Sequence, residues 1–499
     1  NKKRIIYVIP YLSITTQTAL EIRKFLKLGG DSEILLEHYS SVAAPETEEE
    51  NEKRRLATAR WDNPIIVTTM VQFLETVMSA RASDLRKFHN MQDSVIIFDE
   101  IQSLPVNCVH LFNETVSFLS KILNSTILLC TATQPIIDKT PRKNILLSEN
   151  PDLIEDYKKY EKLLKRTNIV ACNEEKTLDE FSRIVFERAV ENGNCLCIVN
   201  LKSQAREIYR TIKTLDTGKE FEIVHLSKAM CGEHKRVELK KAKQLLKGNK
   251  KVICVSTQLI EAGVDISFAC VVRTMAGLDS ILQAAGRCNR NGESAVLKNV
   301  YTYPIKDEIG LEKLNDIKIG KDITQRVVRD NPDADYLSED ILNEFYYYYF
   351  YERSGEMDYT TKGGVSVYDM LSNNDKGRGN FENRTGQAYN HYLAQAFATV
   401  GGRFSVIPNL TKTVVVYYGE SEKLLDAFKA AEKIDEKIKL LHKLQGYTVS
   451  LFDYEYKKFM GERAISLFDE DFGIYVLDKS YYSGEYGVKK DAEMPNLIA

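Results

Sequence analysis

The chain has 499 residues, 43% of them apolar and 28% charged, with a formal net charge of −3. That length exceeds a single hydrophobic core and points to about two to four domains. The near-neutral balance excludes a globally basic nucleic-acid binder, and no apolar stretch approaches the roughly 20 residues of a bilayer span, which excludes a helical membrane anchor.

The nine cysteines are scattered, several inside apolar runs (Cys130, Cys195, Cys197, Cys254, Cys270), and no C-x-x-C pair occurs. That usage argues against zinc and for reduced thiols in a cytoplasmic setting. No signal-peptide pattern is expected from the residues given. The first residue is Asn1 rather than Met, which suggests part of a longer protein.

Over the first 305 residues one pattern repeats: a short β-branched apolar run ends in polar residues and a helix-like segment follows. The runs are RIIYVIP (4–10), PIIVTT (64–69), VIIFDE (95–100), TILLCTAT (126–133), CLCIVN (195–200), VICVST (252–257) and ACVVRT (269–274). Unbroken apolar runs of this length suit strands covered on both faces. Alternating with helices, they predict a parallel α/β sheet. Between about 138 and 192 the pattern lapses into charged helical sequence, which reads as a junction between two such domains. Past about 306 charged helical segments dominate, with the aromatic block FYYYYFYER (345–353) and a Gly/Asn-rich stretch (372–387) read as a loop. The β-like pieces FSVI and TVVVYYGE, helical sequence at 420–445 and further strand-like pieces complete the tail. The expected fold class is α/β, with two tandem parallel-sheet domains at 1–165 and 166–310, followed at 311–499 by linker helices and a mixed α+β accessory domain.

The polar residues cluster at the carboxyl ends of the runs, where open α/β sheets place their ligand crevice. Asp99 and Glu100 leave the core there. Adjacent acids after an apolar strand suit a nucleotide site, the Asp holding Mg²⁺ on phosphates and the Glu orienting or deprotonating water; they also suit two solvated acids. TATQP (131–135) offers hydroxyls for coupling or a plain strand-to-turn exit. In STQLIEAGVDIS (256–267), Gly263 permits close backbone approach and Asp265 can accept from a ribose hydroxyl or a partner side chain. In QAAGRCNRNG (283–292), Gln283, Arg287 and Arg290 fall at i, i+4 and i+7, one face of a helix, with small residues between. Two guanidiniums one turn apart suit triphosphate oxygens. The run of six aromatics from Tyr346 reads as packing before it reads as base-stacking platforms, and KKAKQLLKGNKK (240–251) as a solvated helix end before a phosphate track.

In order and spacing these four stretches resemble the two RecA-like domains of a superfamily 2 helicase. With the tetrad DEIQ, the upstream RWDNPIIVTTMVQFLE (60–75) and the closing QAAGRCNRNG, the chain resembles the helicase portion of the CRISPR-associated helicase–nuclease of type I interference systems. That resemblance implies ATP and Mg²⁺ as cofactors. Asp99 and Glu100 become the metal and hydrolysis acids. Gln102, Thr131 and Thr133 become coupling residues, Gly263 and Asp265 line the nucleotide, and Gln283, Arg287 and Arg290 reach the phosphates. It implies nucleic-acid contacts at Pro10, Thr68, Thr69, Gln72, Asn200, Thr257 and Gln258, through donors that hold phosphates without reading bases. It also implies translocation 3′ to 5′ on single-stranded DNA, partnership with a guide-RNA surveillance (Cascade-like) complex in antiviral defence, and a nuclease domain upstream or on a separate chain.

Two family parts are missing from the sequence. No G-x-x-x-x-G-K-[ST] loop occurs, and no His-Asp dipeptide occurs among the seven histidines, so no nuclease metal site is read here. The alternatives are therefore a non-catalytic nucleic-acid-binding or scaffold subunit, or an RNA helicase of the same superfamily.

Overall fold

The computed structural model describes residues 2–10, 12–29, 32–39, 48–131, 144–154, 157–261, 263–361, 363–406 and 411–489. The chain divides into two compact units, residues 1–157 with 342–408 and residues 158–341 with 409–499. The segment past 310 is thus shared between them.

The first unit holds five parallel strands, β1 (Arg4–Ile9), β2 (Leu35–His38), β3 (Ile65–Thr69), β4 (Ser94–Phe98) and β5 (Thr126–Leu129), in the order β2-β3-β1-β4-β5. The central strands are built from branched residues whose side chains pack on both faces, as the apolar runs require. Phe98 at the end of β4 packs edge-on against Phe73 at 5.1 Å and Phe112 at 4.9 Å. All five carboxyl ends share one edge, and the chain leaves that edge through polar residues.

The second unit holds a six-stranded parallel sheet, β6 (Thr167–Ala171), β7 (Asn194–Val199), β8 (Glu222–Leu226), β9 (Val252–Thr257), β10 (Val271–Thr274) and β11 (Lys298–Tyr303), ordered β6-β11-β10-β7-β9-β8. Its core includes Cys195, Cys197, Cys270, Val255 and Val272, all essentially without surface. A mixed sheet follows, β12 (Thr411–Val415), β13 (Thr448–Phe452), β14 (Ile465–Asp469) and β15 (Ile474–Leu477), ordered β13-β12-β15-β14. Tyr418, which follows β12, and Tyr482, which follows β15, grip the start of the helix Gly232–Lys247 after β8. Tyr482 Oη accepts from Cys231 N–H at 3.0 Å and pairs with His234 Nδ1 at 2.9 Å, while Tyr418 stacks on His234 at 4.2 Å. Burial holds the His234 pKa down at about 4.

Two local expectations are corrected. Residues 375–385 form a helix, Asp375–Thr385, rather than a loop, closed by Gly386 in the left-handed region at φ +68°. Residues 404–406 form no strand, because Ser405 and Val406 spend their N–H groups on Tyr359 Oη and Glu75 Oε1. The aromatic block lies on the helix Glu339–Glu352, burying Phe345, Tyr346 and Phe350, while Tyr347 and Tyr351 stack on each other in solvent at 5.5 Å.

Candidate nucleotide and nucleic-acid site

In the first unit the site grows from the exit of β4. Asp99 N–H donates to Val8 O at 2.9 Å, which holds the residue in line with β1. The chain then turns sharply, with Glu100 in the left-handed region at φ 50°. A non-glycine residue there is uncommon and is held by its surroundings. Asp99 Oδ1 accepts from Glu100 N–H at 3.0 Å and Oδ2 accepts from the Tyr7 hydroxyl at 3.1 Å. Burial and the adjacent Asp99 carboxylate keep the Tyr7 phenol well above its ordinary pKa, so it stays a neutral donor. Gln102 Nε2 donates to Glu100 Oε2, and Gln102 Oε1 accepts from the Thr131 hydroxyl at 2.6 Å. The result is one hydrogen-bonded chain across three strand exits, running Tyr7–Asp99–Glu100–Gln102–Thr131. Thr133 lies outside the described residues.

The other first-unit candidates stand on the same edge with structural duties of their own. Pro10 follows β1 and is half-buried. Thr68 has no exposed surface and donates to His38 O at 2.9 Å. Thr69 caps the helix Met70–Val77 by accepting from Gln72 N–H at 3.2 Å, and Gln72 Nε2 reaches Thr76 Oγ1. Beneath them the only tryptophan, Trp61, is fully buried and donates to His38 Nδ1 at 2.9 Å.

In the second unit the helix that carries Gln283 runs Leu278–Ala285 and stops there. The single-face reading of Gln283, Arg287 and Arg290 is therefore corrected: only Gln283, half-buried, is helical. Ala284 and Ala285 are buried in the unit's own core rather than forming an open face. Arg287 is 8% exposed and donates to Ile260 O at 2.9 Å and Glu261 O at 2.5 Å. Arg290 pairs with Asp265 at 3.0 Å and also donates to Gly286 O. Gly263 sits at φ +73°, a conformation glycine adopts freely. Gln258 opens a short turn at the end of β9, and Thr257 Oγ1 is buried without a hydrogen-bond partner among the described residues.

Asn200 enters a buried polar network that sequence reasoning missed. Its Nδ2 donates to Met275 O at 2.9 Å and approaches Glu308 Oε1 at 3.4 Å. Glu308 also takes Gln204 Nε2 and the Lys321 ammonium. Arg273, with no exposed surface, bonds Glu261 through Nε at 2.8 Å and donates to Thr274 O at 2.7 Å. Burial raises the Glu261 pKa. The signal was present as a charged residue inside each of two apolar runs, Arg273 and Glu261, which only a mutual pair satisfies.

Among the described residues no group of three or more His, Cys, Asp or Glu side chains could hold a metal by itself. The paired carboxylates Asp99 and Glu100 instead fit Mg²⁺, which takes one or two carboxylates and completes its shell with water and phosphate. No described helix is long and apolar enough to cross a membrane.

Residues 1–140 match the DEAD/DEAH box helicase family, and residues 191–293 match the C-terminal model of the CRISPR-associated nuclease/helicase Cas3. Two curated relatives are CRISPR-associated nuclease/helicases Cas3, from Haloferax volcanii (23% identical over 385 residues) and Methanothermobacter thermautotrophicus (25% over 252). Over these stretches the chain is similar to the helicase part of the Cas3 nuclease/helicases. The alignments take in 58% and 46% of this chain but only 41% and 28% of those relatives. The T. fusca Cas3 crystal structure shares the fold at a TM-score of 0.65 and 11% identity, over 92% of this chain and 59% of that one. Its AMPPNP form gives 0.63 at 12% identity over the same shares. A CRISPR RNA-guided surveillance complex in a pre-nicking state gives 0.54 at 13%, over 90% of this chain and 57% of that one.

Proposed function

We propose that this chain is the ATP-driven motor of a CRISPR type I effector nuclease, moving on single-stranded DNA that a guide-RNA surveillance complex has opened. The observation that carries the reading is the placement of Asp99 and Glu100 at the exit of a central parallel strand, with Glu100 tied through Gln102 to Thr131. Asp99 and Glu100 would hold Mg²⁺ and orient the attacking water, whose proton Glu100 accepts. ATP, when bound, supplies the phosphoanhydride whose cleavage drives movement. In the second unit, Gly263, Asp265, Gln283, Arg287 and Arg290 are the residues this reading assigns to nucleotide and phosphate. Gln102 and Thr131, with Thr133, pass the state of Glu100 to the neighbouring strand exit. Pro10, Thr68, Thr69, Gln72, Asn200, Thr257 and Gln258 hold the DNA backbone, several of them through main-chain donors because their side chains are committed inside the fold. The relatives named as Cas3 nuclease/helicases and the fold shared with a surveillance-complex structure support the assignment of partner.

The test is strand displacement by the full-length protein on a duplex with a 3′ single-stranded overhang. ATP-dependent unwinding of that substrate, and not of a 5′-overhang substrate, is expected. DNA binding that ATP does not alter would point instead to a DNA-binding subunit without hydrolysis.

A further inference from the structure

We infer that Tyr7 is a positioning residue for the metal-binding carboxylate, acting through Asp99. The inference rests on the nucleotide reading of Asp99 and adds a residue to it. Asp99 has two oxygens, and each is claimed by one donor: Oδ1 by Glu100 N–H at 3.0 Å, Oδ2 by the Tyr7 hydroxyl at 3.1 Å. A carboxylate held at one oxygen alone can rotate about its last bond. Held at both, it presents its remaining lone pairs in one direction. Charge-assisted bonds of this kind are about twice as strong as neutral ones.

The neighbouring contacts make Tyr7 the side that can fail. Glu100 N–H is fixed by the chain itself, because the left-handed turn at φ 50° points it back at the preceding side chain. The Tyr7 hydroxyl arrives from β1, paired to β4 by Tyr7↔Ile97 and Val8↔Phe98. It is therefore the donor that ties the acid to a second strand. That strand runs on directly into Pro10, so the same side chain joins the metal-binding acid to the element proposed to touch nucleic acid. A hydrogen-bonded carboxylate behind a metal or a ligating group keeps its orientation, and loss of such a support typically costs about 10–100-fold in metal affinity.

The experiment is Tyr7→Phe in the full-length protein, with Asp99→Asn beside it. Mn²⁺ affinity in the presence of ADP, read by electron paramagnetic resonance, should fall about tenfold in Tyr7→Phe. The Mg²⁺ concentration for half-maximal ATP hydrolysis should rise by the same factor, with kcat at saturating Mg²⁺ within twofold of wild type. Metal-free ADP affinity and DNA affinity should not move. Emission from Trp61, the single tryptophan and a buried residue of the same unit, reports that the variant is folded. If Asp99→Asn abolishes Mn²⁺ binding and Tyr7→Phe leaves it within twofold, the positioning role of Tyr7 is overturned while the metal role of Asp99 stands. If Asp99→Asn also leaves it unchanged, the metal reading fails and takes this inference with it.

Discussion

Arg273→Met isolates the buried pair that fixes the turn after β9. Arg273 has no exposed surface and the Glu261 side chain is 3% exposed, with 2.7 Å between Arg273 Nη2 and Glu261 Oε1. Methionine fills much of the same volume but leaves the carboxylate, among the described residues, with only the Ser280 hydroxyl as a side-chain donor, at 3.1 Å. Breaking a buried pair from one side costs about 3–5 kcal/mol. In a unit of this size that is a fall in Tm of roughly 6–20 °C. A Glu261→Leu/Arg273→Met double variant should regain most of the loss, because an apolar replacement of the whole pair is often neutral. The pH dependence has a definite sign. A carboxyl whose folded pKa is raised adds stability at low pH and loses it as pH rises through that folded value. Burial already raises Glu261, and removing the cation raises it further. The destabilisation by Arg273→Met should therefore be smaller at pH 5 than at pH 8. Urea unfolding at both pH values measures it. A loss below about 1 kcal/mol, or an equal loss at both pH values, refutes the reasoning.

Three further outcomes are expected. Arg287→Ala in the full-length protein should lower kcat for ATP hydrolysis by roughly 10³-fold or more, and hydrolysis within a few-fold of wild type would remove Arg287 from the phosphoryl site. His234, buried and neutral with a folded pKa near 4, contributes stability that is present above the unfolded value of about 6.5 and lost as pH falls toward 4. His234→Gln should flatten the acid limb of the unfolding curve, and an unchanged slope between pH 7 and pH 4.5 counts against that origin. Gly487→Ala should destabilise the second unit by on the order of 2 kcal/mol, because the residue sits at φ +83° and a Cβ there would strike Ala229 O; a Tm within 1 °C of wild type would show that the backbone at Gly487 can shift away.

The strands that were legible are β1, β3, β4, β5, β7, β9 and β10, whose apolar runs are unbroken; all but β5 lie inside their sheets. Those that escaped are β2, β6, β8 and β11. Three of them, LLEH, TNIVA and EIVHL, lie at sheet edges, and the fourth, KNVYTY, is the neighbour of one. Such strands carry polar or charged residues among the apolar ones, so their runs are short or alternate, and Thr167–Ala171 was absorbed into a charged stretch read as helical. Among the candidate residues, the acids and the arginines stood out in the sequence because charged side chains beside apolar runs need partners. Tyr7 did not, because a tyrosine in a strand is ordinary until β1 is placed beside β4. The commitment of Arg287 to two main-chain carbonyls was hidden for a similar reason. It depends on the helix ending at Ala285, a boundary set by Gly286 and by the path of the loop that follows.

The most direct measurement of the central claim is steady-state ATP hydrolysis by the full-length protein with and without single-stranded DNA, for wild type and Glu100→Gln. The account predicts hydrolysis that DNA stimulates and that Glu100→Gln reduces by at least about 10²-fold, with DNA affinity retained. DNA binding without hydrolysis in the wild type, or hydrolysis indifferent to Glu100→Gln, would contradict it.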